Sequence, residues 1–134
     1  MTGVLRHGSG GPYEASVGYS RLVVVPAGAR TARTAGCTAT VDGEVVGVGD
    51  AHRQALVAID IALAALERAG FAASDVVRTR MYVVDIAAHS TAVGAAHGER
   101  FRDVRPVATM VGVTALIDPR MLVEVELLAC RADG

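Results

Sequence analysis

At 134 residues, 51% hydrophobic and 20% charged, the chain has the size and composition of one soluble globular domain. A formal net charge of −1 gives no footing for a polyanionic partner and argues against nucleic acid. The longest apolar run carries Asp60 and Glu67 and falls short of the ~20 residues of a membrane span, so no membrane contact is expected.

The opening MTGVLRHGSGG lacks the apolar core of a signal peptide, and Cys37 and Cys130 lie far apart in sequence. Both features fit a reduced, cytoplasmic protein better than a disulfide scaffold. All 13 basic residues are arginine, which a high-GC genome explains as well as function does.

In chain order, residues 1–11 read as a flexible lead-in because HGSGG is too rich in glycine to pack. A single domain is expected over residues 12–134. RLVVV (21–25) is short and β-branched, and PAG (26–28) supplies turn chemistry. ARTARTAGCTAT then alternates as a half-exposed return strand would. Asp42-Gly43 between apolar flanks is a strong hairpin signal.

Asp50 is placed to cap a helix whose apolar stripe is Leu56, Ile59, Leu63 and Leu66, ending at Gly70. VVRTRMYVVDI (76–86) has strand composition. A second helix, rich in alanine, spans about 88–102 and closes at Pro106. Strands over 107–114 and 121–129 finish the domain, with a proline turn in LIDPR between them. The order is β-β-α-β-α-β-β, an α+β pattern.

Two helices can cover only one face of the resulting sheet. The strands are apolar on both faces, with Val107, Val111 and Val113 on one side and Ala108, Met110 and Gly112 on the other. A monomer would expose that surface, so self-association is expected.

No isolated motif settles a chemistry. Gly47-Val48-Gly49 before the first helix has His52 where a dinucleotide fingerprint needs its third glycine, and reads as a loop entering a helix. His7, His52, His89 and His97 show no metal-ligand spacing, so no metal is expected; His89 and His97 read as solvated helix residues. The cysteines read as structural thiols. Glu124 and Glu126 share a strand face, which alone is compatible with a solvated edge.

The ordered set GPYEASVGYSR, AGCTAT, DVVRTRMYVVDI, RPVATMV and MLVEVELLA resembles the Rid family of YjgF-type reactive intermediate deaminases. The resemblance runs from about Pro12 to Ala129. It implies a chorismate-mutase-like mixed sheet with two helices on one face, assembled as a homotrimer with small-molecule clefts between subunits and no cofactor. Well-studied members hydrolyse enamines and imines such as 2-aminoacrylate. In them an arginine in a P-A-R-[ST]-x-V segment grips the substrate carboxylate, and a glutamate on the last strand positions water.

Matched to that segment, Val107 and Ala108 take the alanine and arginine places, Thr109 keeps the hydroxyl, and Met110 stands where many members have cysteine. Glu124 falls on the water-positioning glutamate. The resemblance thus makes Glu124 and Thr109 the catalytic candidates and assigns Tyr13, Gly36, Cys37, Val107, Ala108 and Met110 to the ligand cleft. The carboxylate clamp is absent unless Arg30, Arg33 or Arg105 replaces it. Three functions remain open at this point: a Rid enzyme for another imine or pathway intermediate, a non-enzymatic ligand-binding or regulatory trimer, and the RNA-cleaving activity attached to the family by name.

Overall fold

The computed structural model describes residues 3–132. Its eight strands are β1 (Leu5–His7), β2 (Leu22–Val24), β3 (Arg30–Arg33), β4 (Thr40–Val41), β5 (Glu44–Val45), β6 (Val76–Val84), β7 (Val107–Val113) and β8 (Val123–Arg131). Two long helices, α1 (Ala51–Arg68) and α2 (Ile86–Phe101), separate the strands. The main sheet has the order β3-β8-β6-β7, while β1-β2 and β4-β5 form separate ribbons. The fold is α+β with a mixed sheet: β6 and β7 are parallel and joined through α2, and β8 runs antiparallel to both β3 and β6.

Asp50 caps α1 by accepting the Arg53 N–H at 3.0 Å. The buried seam of α1 is not centred on the leucine stripe. Ala55, Ala58, Ile59, Ala62 and Leu66 are buried, whereas Leu56 and Leu63 lie at its margin. Alanine at the seam lets the helix lie close to the sheet, and the larger leucines cover the sides. From the sheet, Met81 and Val83 of β6 and Val123, Val125, Leu127 and Ala129 of β8 complete the core.

The Asp42-Gly43 hairpin forms as its sequence predicts, with φ of 52° and 79° and the pairs Thr40–Val45 and Val41–Glu44. Gly47-Val48-Gly49 is a turn into α1, the Asp50 N–H donating to the Gly47 carbonyl at 2.9 Å.

The N-terminal segment differs from the lead-in read in the sequence. Leu5–His7 pair with Leu22–Val24, and the Ser9 and Gly11 N–H groups donate to Glu14 at 2.9 and 2.7 Å. Met1 and Thr2 lie outside the described residues. The apolar β-branched RLVVV thus finds its partner upstream in the chain rather than in the main sheet.

The second helix also departs from the sequence reading. Its His97 is fully buried, not solvated. The Nδ1–H donates to the Val17 carbonyl at 2.6 Å, so Nε2 is the acceptor for the Thr79 hydroxyl at 2.8 Å. Burial holds this imidazole below its ordinary pKa, in the neutral form. His97 thereby ties the single wide turn over Glu14–Gly18 to α2 and β6. Gly98 makes the approach possible, because a Cβ there would overlap the Ser16 carbonyl. His89 is half-buried, its Nδ1–H donating to the Val84 carbonyl at 2.9 Å.

Candidate functional site

The helices cover one face of the main sheet, and strand pairing orders the other face into rows. One row holds Arg33, Leu128, Arg78 and Val107; the next holds Glu126, Arg80 and Thr109; the third holds Glu124, Tyr82 and Val111. This face is polar as well as apolar, which corrects the uniformly apolar face inferred from the strand sequences. Arg78 and Arg80 of β6 and Glu124 and Glu126 of β8 occupy alternate positions and point away from the helices, whereas Arg131 at the end of β8 lies on the helix side, its Nη1–H donating to the Gly70 carbonyl at 2.9 Å. The larger run of exposed apolar side chains is on the β1–β2 ribbon, where Leu5, Leu22 and Val24 are 49%, 53% and 44% exposed.

Glu124 is half-buried, and its carboxylate rests against Gly36. A Cβ on Gly36 would overlap that carboxylate and stand 2.8 Å from its Cδ, so the side chain fits because this position has none. The segment carrying Gly36 is held to β8 by a reciprocal pair: the Cys37 N–H donates to the Val125 carbonyl at 2.7 Å, and the Val125 N–H to the Cys37 carbonyl at 2.9 Å. Upstream, Thr34 accepts the Leu127 N–H on its hydroxyl at 3.0 Å and donates its own N–H to the Leu127 carbonyl at 2.9 Å. Between these anchors Ala35 and Gly36 bulge, which ends β3 at Arg33 and interrupts the long return strand read from the sequence.

Burial, followed by the nearby Glu124 charge, raises the Cys37 thiol above its ordinary pKa, so it stays protonated at neutral pH. Cys130 is buried, its thiol also raised by burial, and both cysteines are free. Beside Glu124, the Tyr82 hydroxyl donates to Glu126 at 2.7 Å, and that bond raises the phenol pKa first, ahead of burial.

Tyr13 lies elsewhere. It precedes the wide turn and, with Ser16, Val17, Ser90, Thr91 and Gly94, lines a cleft of about 550 Å³ against α2, on the helix side of the sheet. A profile of the family described as Endoribonuclease L-PSP matches residues 12–131.

The chain belongs to the Rid/YjgF family.

The comparisons agree along nearly the whole length. An uncharacterized protein of Streptomyces coelicolor is 42% identical over 131 residues, 96% of this chain and 92% of its own. A Mycobacterium tuberculosis member of the YjgF/YER057c/UK114 family is 40% identical with a TM-score of 0.66, covering 94% of this chain and 98% of that one. A Rid-family protein of unknown function from Yersinia pestis is 31% identical with a TM-score of 0.83, covering 96% and 98%.

Within this Rid fold the sequence-derived site residues divide into groups. Glu124, Gly36 and Cys37 come together. Thr109 and Val107 share the open face with Glu124, but β6 intervenes and Thr109 sits one row away, so the backbones of Thr109 and Glu124 stand about 12 Å apart, two strand spacings across and two residues along. Ala108 and Met110 face the other way, beside Thr79 and Met81, and pack half-buried against the core at the edge strand. Of the three arginines considered as replacements, Arg105 folds back, its Nε donating to the Arg102 carbonyl at 2.9 Å, and Arg30 lies over the Phe71 ring at 5.1 Å. Arg33 alone is on the open face.

Three polar anchors were not singled out from the sequence as buried. His97 falls four residues from both Val93 and Phe101, so the buried stripe of α2 runs through it. Gln54 follows Ala51 by three and is fully buried. Its Nε2 donates to the Gly47 and Arg120 carbonyls at 3.1 and 2.9 Å while Oε1 accepts the Leu122 N–H at 2.8 Å. Glu14 is 3% exposed and accepts the Ser9 hydroxyl at 2.6 Å; its bonds from Ser9 and Gly11 hold the carboxyl below its ordinary pKa. Nothing in the sequence around Glu14 signals that role.

Proposed function

We propose that this protein is a small-molecule Rid enzyme acting as a homotrimer, with Glu124 as the proton acceptor of an intersubunit cleft and with a substrate other than 2-aminoacrylate or a simple 2-imino acid. The observation that carries the reading is the seat of Glu124: a half-buried carboxylate set against the side-chain-free Gly36, on the sheet face that the helices leave open. In imine hydrolysis, water adds to the C=N carbon as the carboxylate takes its proton. Return of protons to nitrogen then releases ammonia and leaves a carbonyl.

Assembly is supported by two features. The ribbon exposes Leu5, Leu22 and Val24, and the open sheet face exposes Val111 at 41%. Tyr13 and Glu124 also lie on opposite sides of one protomer's sheet, so joint action on one ligand requires Tyr13 of another copy.

The substrate restriction follows from Ala108 at the clamp position. A guanidinium gives a carboxylate two parallel charge-assisted bonds and a methyl group gives none. At roughly 1.5–3 kcal/mol each, about 3–6 kcal/mol of binding is lost, or two to four orders of magnitude in affinity. Net charge −1 and 4% aromatic residues weigh against the RNA cleavage that the family description names.

Sedimentation equilibrium tests the assembly: a trimer is expected at micromolar concentration, and a stable monomer would remove the cleft. Ammonia release from a panel of imines with and without carboxylates tests the chemistry. Glu124→Gln is expected to abolish turnover of whichever imine is accepted. Ligand binding without turnover across the panel would replace the enzyme with a binding trimer.

A further inference from the structure

On the open face, Arg33 of β3 and Arg78 of β6 both pair with Leu128 of the strand between them. Two strand spacings put their backbones about 10 Å apart, with both side chains on the same side of the sheet. The adjacent row is internally neutralised: Arg80 Nη1 lies 3.4 Å from Glu126 Oε1, which also accepts the Tyr82 hydroxyl at 2.7 Å.

Glu126 is thus committed, and among the described residues Arg33 and Arg78 have neither an ion pair nor a side-chain hydrogen bond. Between them lies a groove of about 220 Å³ lined by Arg33, Thr34, Arg78, Arg80, Glu126 and Leu127. The Thr34 hydroxyl spends its proton on the Ala35 carbonyl at 2.8 Å, so the free donors of the groove are guanidinium N–H groups.

We infer that this groove binds a small oxyanion, a phosphate or carboxylate group held between Arg33 and Arg78. Two uncompensated positive charges on one face repel each other, and an oxyanion between them removes that repulsion while accepting bidentate bonds from either side. The donors rise from paired strands of the main sheet, which fixes their spacing before a ligand arrives. The volume suits one small molecule rather than a polymer chain. Leu128 lies four positions beyond Glu124 on β8, about 13 Å along the strand. The groove is therefore a site apart from Glu124, and it stands whether or not Glu124 acts in catalysis.

Calorimetric titration of the full chain with sodium phosphate, and separately with succinate, against sodium chloride at matched ionic strength tests the inference. Saturable binding is expected for at least one of the two oxyanions, and which one responds separates phosphate from carboxylate ligands. Arg33→Gln and Arg78→Gln are each expected to weaken it about tenfold or more, while Arg68→Gln, on the far end of α1, leaves it unchanged. No saturable signal above the chloride control would overturn the site, as would equal loss in Arg68→Gln. Sedimentation of the same variants adds a further check. If Arg33→Gln and Arg78→Gln dissociate the assembly without altering oxyanion binding, the groove is filled by an acidic group of another copy and the inference fails.

Discussion

Gly36→Ala separates the fit of the Glu124 seat from the stability of the fold. Gly36 does not have a left-handed φ, so alanine is conformationally allowed there. A lower unfolded-state entropy then favours the variant by about 0.4–1 kcal/mol. Against this, the new Cβ overlaps the Glu124 carboxylate and would stand 3.1 Å from its Cγ, so the flexible end of that side chain must turn aside. Holding it off its preferred rotamer costs about 0.5–1.5 kcal/mol. The two effects nearly cancel, and urea denaturation is expected to place the variant within about 1 kcal/mol of the parent.

The site should nevertheless change, and Cys37 reports on it. The Glu124 charge is the second cause of the raised thiol pKa, so displacing the carboxylate should lower that pKa. The assay is the pH dependence of thiol alkylation in the folded protein, with buried Cys130 reacting slowly. Glu124→Gln should move the profile in the same direction. An unchanged profile in both variants, or a loss of more than about 2 kcal/mol in Gly36→Ala, would refute the proposed packing of these three residues.

Gln54→Ala leaves two carbonyls and the Leu122 N–H without their partner in a buried site. A loss of about 2–4 kcal/mol in urea denaturation is expected, against under ~0.5 kcal/mol for an exposed neighbour such as Arg53→Gln. For His97, the folded-state pKa is lowered below the ordinary 6.5 by burial, so the unfolded chain binds the proton more readily. The stability from neutral His97 is complete above about pH 6.5 and declines as pH falls toward the lowered folded value. A His97→Leu variant should show a flatter melting temperature over that interval, and parallel curves would contradict the neutral assignment.

Much of the architecture was legible because the local signals agreed. Asp50, the apolar spacing of α1, the Asp42-Gly43 turn and the strand composition of residues 76–86 each point to the element that forms, although the strand stops at Val84 and Ile86 already begins α2. What escaped the sequence depends on distant partners. Leu5–His7 become a strand only because Leu22–Val24 stand opposite, and glycine-rich flanks conceal that pairing. Alternation correctly put Val107 and Ala108 on opposite faces and Glu124 on the same face as Glu126. It did not reveal that Arg78, Arg80 and the two glutamates would share the open face, since the face of a strand is fixed by its neighbours' register. The Gly36–Glu124 contact was likewise unreadable, because it depends on a bulge at residues 35–36 set by the Thr34 and Cys37 anchors to β8.

The most direct test of the account is ammonia release from 2-aminoacrylate and from oxidase-generated 2-imino acids, run beside a family member that carries the clamp arginine. On the proposed placement of Ala108 at that position, the rate at subsaturating substrate is expected to be lower by about two to four orders of magnitude. A rate equal to the arginine-bearing control would contradict the account and show that another group on this chain grips the carboxylate.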